Sequence, residues 1–162
     1  MYIQENLKKI KPEIPNSVTL VAVSKTKPIS DITEAYETGQ RDFGENKVQE
    51  LQDKYPDLPD DIKWHMIGHL QTNKVKYIVP FIYMIHAVDS LKLLQEINKQ
   101  AQKVDRTINV LLQFHIARED SKFGFTMNRF EAEIDKIAIA DLKNIAFRGV
   151  GNGNIHRRHR HN

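Results

Sequence analysis

The 162-residue sequence has no cysteine, which excludes a disulfide framework and any thiolate metal site. No apolar run approaches the length of a membrane span, and the opening Met1-Tyr2-Ile3-Gln4-Glu5-Asn6 lacks the pattern of a secretory leader. A cytoplasmic location without membrane contact is therefore expected. No strand-like segment runs into Gly-x-Gly-x-x-Gly or a Walker A sequence, which counts against the nucleotide-binding open sheets. A nucleic-acid partner is not expected either. The net charge of +3 is matched by Arg157, Arg158 and Arg160 at the C-terminal end, which leaves the rest of the chain neutral.

What is present is ordinary for one globular domain, with 40% apolar and 28% charged residues. The length is short for a complete (β/α)8 barrel, which takes about 250 residues. Tyr2, Ile3, Leu7 and Ile10 recur at helical spacing before Pro12. A first strand is expected over roughly 18–23, and a helix over about 31–38 with Ser30 as its cap and Gly39 as its stop. Strand 41–44 and a helix from Asn46 to about Lys54 follow, then strand 63–67, helix 71–79 and strand 81–87. A Ser90-capped helix over 90–103, strand 108–116, helix 127–140 and a strand opening at Ile145 complete the pattern. Regular alternation of strand and helix means a parallel sheet with right-handed crossovers. Periodicity leaves open whether that sheet closes as a barrel or opens as a doubly wound sheet.

The segment Val21-Ala22-Val23-Ser24-Lys25-Thr26-Lys27-Pro28 is the most informative. An apolar strand delivers a lysine at its C-terminal end, the end where α/β folds carry chemistry. A desolvated lysine there can act as a nucleophile toward an aldehyde; the alternative is a lysine that snorkels to solvent. Lys27, two residues on, lies on the same side as Lys25 if the segment stays extended, where it would favour a neutral amine on Lys25; the alternative is a solvent-facing turn lysine.

Other strand ends carry polar or glycine-containing sets: Phe43-Gly44-Glu45-Asn46, Trp64-His65-Met66-Ile67-Gly68-His69-Leu70-Gln71, His86-Ala87-Val88-Asp89-Ser90 and Arg118-Glu119-Asp120-Ser121-Lys122-Phe123-Gly124. In this order and spacing, together with Val21–Pro28, they resemble the YggS family of pyridoxal phosphate homeostasis proteins over nearly all of the chain to about Val150. The resemblance implies a TIM-type (β/α)8 barrel like that of the alanine racemase N-terminal domain, incomplete here at about six strands. It implies pyridoxal 5'-phosphate held as a Schiff base on Lys25, with Asn46 beside the cofactor and His65 approaching its ring. Asn46 read alone is a helix cap, and His65 read alone is a satisfied core histidine. Lys122 matches a family lysine near the pocket mouth, with a surface-loop lysine as the alternative. His69 and His86 lack metal-ligand spacing, so no metal is assigned.

Family members are carriers of the cofactor rather than robust catalysts, and PLP-dependent apo-enzymes are the partners so implied. A racemase or lyase on the same barrel is the alternative, and it needs a second acid/base group opposite Lys25. After Val150 the family's later phosphate-cradling motifs do not follow, so residues 151–162 are expected to form a disordered basic tail and cofactor binding to be impaired. Codons for that tail, read one frame over, can give the family's Met-Gly-Met-Ala-Thr continuation, so a frame-shifted and truncated end is expected. Full-length family members are monomeric; a chain left with open strand edges is expected to self-associate.

Overall fold

The structure is a computed structural model that describes residues 2–114 and 126–152. Helix α1 spans Tyr2–Ile10 and passes into a 3-10 turn at Lys11–Glu13 that accommodates Pro12. There follow β1 (Ala22–Val23), α2 (Ile29–Glu37), β2 (Asp42–Glu45), α3 (Val48–Lys54) and β3 (Lys63–Met66). Then come α4 (Val75–Ile78), β4 (Met84–Val88), α5 (Leu91–Lys103), β5 (Ile108–Phe114), α6 (Met127–Ile139) and β6 (Ile145–Asn152). The Arg118–Gly124 set with Lys122, and residues 153–162 of the expected tail, lie outside the described residues.

All neighbouring strands are parallel, and their order in the sheet is the order in the chain, β1 to β6. A doubly wound sheet would reverse direction at a switch point. Here every crossover steps the same way, and the right-handed connection that parallel strands take then puts the helices on one face, as in a barrel wall.

Several boundaries differ from the sequence expectation for identifiable reasons. Helix α2 begins at Ile29 with extended Pro28 as its cap, because the Pro28 carbonyl already accepts from Asp31 and Ile32 N–H; Ser30 lies inside the helix. The expected helix over 71–79 splits into a 3-10 turn at Thr72–Lys74 and the short α4. Phe81 and Ile82 donate their N–H groups back to Ile78, so they cannot pair with β3 and β4 starts only at Met84. Ser90 does cap α5, its hydroxyl accepting from Leu93 N–H at 3.1 Å. Strand β6 continues past Val150 to Asn152, because Gln113 and Phe114 of β5 pair with Gly151 and Asn152.

Side chains alternate across the sheet. The outer face, under the helices, carries Phe43, Trp64, Met66, Ile85, Ile108 and Val110, all buried in one apolar cluster with Leu51, Leu94 and Ile97 from the helices. The inner face carries Asp42, Gly44, His65, Met84, His86 and Asn109, in lateral register Gly44 with His65, His65 with Met84, and Met84 with Asn109.

Candidate functional site

The C-terminal strand ends form one rim. Beyond β1, the ladder runs one step further, with Ser24 N–H donating to Gly44 C=O at 2.9 Å. Ser24 faces outward and its hydroxyl donates to Glu45 Oε1 at 2.8 Å. Lys25 comes next, partly buried, in the turn that Lys27 N–H closes by donating to Ser24 C=O at 3.1 Å. Asn46 follows Glu45 at the end of the neighbouring strand, past the last paired positions Val23 and Gly44. These two predicted site residues thus lie just past the C-terminal ends of adjacent paired strands.

Asn46 is held by its neighbour. A Cβ added at Gly68, just beyond β3, would sit 2.4 Å from the Asn46 carbonyl oxygen and 2.8 Å from its Cα. Only glycine lets the two chain segments approach so closely. Lower on the inner face, a Cβ at Gly44 would meet Ile67 at 3.1 Å and Val21 at 3.2 Å, so that glycine keeps the wall beneath Lys25 and Asn46 thin. Asn46 also lines a recess of about 270 Å³ with Lys47, Gln52, His69, Gln71 and Lys74. It is not the α3 cap: that position is Lys47, with no side-chain capping bond.

His65 sits deeper. Its register partner is Gly44, two residues below Asn46, or about 7 Å at the usual strand rise. It is 3% exposed. Its Nε2 meets Asp42 Oδ1 at 2.9 Å and its Nδ1 meets His86 Nε2 at 2.7 Å. The Asp42 carboxylate can only accept, so His65 Nε2 carries the proton and Nδ1 accepts from His86. Both ring nitrogens are thereby used within the wall. Burial pushes the His65 pKa down against the opposing pull of Asp42, and burial with the neighbouring His65 pushes His86 down to about 4. His65 is thus a floor residue whose contacts run sideways and inward.

Lys27 does not share the side of Lys25. Thr26 between them has φ 63°, which breaks the extended geometry, and Lys27 is exposed beside the recess between α1, α2 and β1. His69 Nδ1 lies 3.6 Å from Asp89 Oδ2. Among the described residues, no group of three or more His, Asp or Glu side chains could hold a metal ion. No described helix is long and apolar enough to cross a membrane.

A set of residues that the sequence reading passed over lies behind Lys25. Lys54 of α3 is buried; its Nζ donates to Glu45 Oε1 at 2.6 Å, Glu50 Oε2 at 2.8 Å and the Ser24 carbonyl at 2.9 Å. Glu50 Oε2 also accepts from Thr26 N–H at 2.8 Å. Burial raises the Glu45 pKa despite hydrogen bonds from Lys54 and Ser24, while the bond from Lys54 lowers that of Glu50. Glu45 Oε2 is buried without a partner. The available signal was the Glu50–Lys54 spacing on one helix face and a carboxylate inside an otherwise apolar strand end.

Chemically, adjacent strand ends carry a primary amine and a carboxamide, and the wall below them holds a buried pair of imidazoles. That arrangement can capture a carbonyl compound.

The described architecture has known relatives. The family described as alanine racemase, N-terminal domain, matches residues 2–152. The pyridoxal phosphate homeostasis protein of Vibrio alginolyticus is 38% identical over 167 residues, covering 91% of this chain and 69% of the relative. That of Escherichia coli K12 is 39% identical, covering 84% of this chain and 59% of the relative, so the chain spans well under two thirds of that protein's length. Among solved structures, PipY of Synechococcus elongatus PCC7942 with PLP bound superposes with a TM-score of 0.84 at 35% identity, over 94% of this chain and 70% of PipY. Alanine racemase of E. faecalis superposes with a TM-score of 0.72 at 15% identity, over 93% of this chain and 41% of the racemase, a likeness of fold alone. The six-stranded sheet is accordingly an incomplete (β/α) barrel of the alanine-racemase type. By its match over 2–152 and its identity to such proteins, the chain belongs to the alanine racemase N-terminal domain family, on the branch of the pyridoxal phosphate homeostasis proteins.

Proposed function

We propose that this chain binds pyridoxal 5'-phosphate covalently through Lys25 Nζ and serves in cytoplasmic cofactor homeostasis as a carrier. The observation that carries the reading is the place of Lys25 and Asn46 just past the ends of two adjacent parallel strands, in a fold shared at 35% identity with PipY, a protein solved with PLP bound. The residues fit the group on the wall's own geometry. Gly44 and Gly68 remove the Cβ atoms that would crowd the rim, and Lys25 is partly buried on a segment held on both sides. When bound, the cofactor supplies an aldehyde and an electron-accepting ring. Lys25 supplies the amine and Asn46 a polar contact at the rim. The neutral His65–His86 pair gives a floor that brings no positive charge under Lys25. PLP-dependent apo-enzymes are the natural recipients of such a carrier.

The test is an absorbance titration with pyridoxal phosphate on the chain and on Lys25→Ala, followed by borohydride reduction and peptide mapping. A visible band lost in the variant, with the reduced adduct on Lys25, supports the reading. Adducts scattered over exposed lysines sink it for this chain and assign selectivity to the length by which the relatives exceed it.

A further inference from the structure

We infer that Lys54, with Glu45 and Glu50, is a positioning device for Lys25, gripping the two peptide groups that flank it. The inference rests on the reading of Lys25 as the cofactor-bearing amine. Lys54 Nζ donates to the Ser24 carbonyl at 2.9 Å, which belongs to the peptide before Lys25 Cα. Glu50 Oε2 accepts at 2.8 Å from Thr26 N–H, which belongs to the peptide after it. Holding both peptide planes fixes φ and ψ of Lys25, and with them the direction of its side chain. The grip is itself cross-linked: Lys54 bridges Glu45 Oε1 at 2.6 Å and Glu50 Oε2 at 2.8 Å, and Ser24 Oγ reaches Glu45 Oε1 at 2.8 Å. All three donors of the ammonium are used.

Two features separate this arrangement from ordinary stabilisation. Thr26 is β-branched and sits at φ 63°, a conformation such residues avoid and keep only where surroundings over-determine it. Glu50 supplies that constraint at the amide of the strained residue. Moreover, Glu45 is fully buried with Oε2 unpartnered, a costly way to gain stability where apolar side chains of like volume would serve as well. The cluster touches the backbone on both sides of one lysine, and geometric control of that lysine is what it supplies.

The experiment has a ligand-free arm and a trapping arm. In the first, amide hydrogen exchange is measured by NMR on the chain, Glu50→Ala and Glu50→Gln. Glu50→Ala is expected to lower protection of the Thr26 amide about tenfold, with amides of Ile85 and Val110 unchanged, and Glu50→Gln to restore most of it. In the second, pyridoxal phosphate and borohydride are applied to the same proteins, to Lys54→Met/Glu45→Gln and to Thr26→Gly. The share of adduct on Lys25 relative to other lysines is expected to fall about tenfold in the double variant. Thr26→Gly, which relieves the strained backbone, is expected to melt higher yet trap less on Lys25. Unchanged Thr26 exchange in Glu50→Ala, or an unchanged Lys25 share in a Thr26→Gly that melts higher, overturns the inference. If the parent chain shows no preference for Lys25, the cofactor reading fails, while the exchange arm still decides the grip.

Discussion

The two faces of the sheet differ in what holds them. On the outer face, Phe43, Trp64, Met66, Ile85 and Val110 pack against helices through apolar contacts, and the Ser24–Glu45–Lys54 cluster is confined to its C-terminal end. On the inner face, Asp42, His65 and His86 form a hydrogen-bonded row, and Arg148 Nε donates to Asn109 Oδ1 at 2.8 Å. Below the Glu45 level the outer face makes the fold and tolerates shape-matched apolar residues; the inner face makes the environment of the rim and is specified by chemistry. Strand residues thus alternate between two kinds of constraint at every step.

The sharpest way to break the comparison is to truncate one side chain on the apolar face. Trp64 is 1% exposed with its ring centroid 6.1 Å from that of Phe43. Trp64→Ala is expected to cost about 4 kcal/mol by urea unfolding, enough to unfold a marginal domain. At the rim, Gly68→Ala must push a Cβ into the Asn46 backbone. A loss of about 3 kcal/mol is expected in the same assay, along with displaced Asn46 chemical shifts. If the loss is negligible, the two strand ends are looser than the 2.4 Å approach implies.

The inner face should also announce itself through pH. His86 titrates near 6.5 when unfolded and near 4 when folded, and burial moves His65 the same way. Between those values the unfolded chain binds more protons, so stability falls as pH drops from 6.5 toward 4. After discounting for the solvent that reaches His86, the fall is about 2 kcal/mol, read from urea midpoints across that range. The smallest effect is the most diagnostic. His86→Leu should change stability at neutral pH by no more than about 1 kcal/mol while flattening much of that pH dependence. A variant that keeps the full slope would locate the titration elsewhere.

The element order and the strand ends were legible because Pro, Gly and the apolar spacing mark them. The cap at Ser90 and the placing of Lys25 and Asn46 at strand ends follow from local signals of that kind. The rest was not local. His65 is paired with Asp42 and His86, 23 and 21 residues away, and no spacing rule announces such a row. Glu50 and Lys54 read as an ordinary helix pair, yet the third partner of that ammonium is a carbonyl 30 residues upstream. The positive φ at Thr26 was hidden as well, because threonine is not a residue that advertises it. It is this turn that separated Lys27 from Lys25.

The strictly sequential strand order has a consequence for synthesis. Each new strand pairs with the one made just before it, so loop closures stay short throughout. A ribosome-bound chain can therefore add β/α units to a growing wall without waiting for its C-terminal part. Lys25 and the residues that grip it, Glu45, Glu50 and Lys54, all fall within the first 54 positions. The amine's geometry is complete before half the chain has been translated.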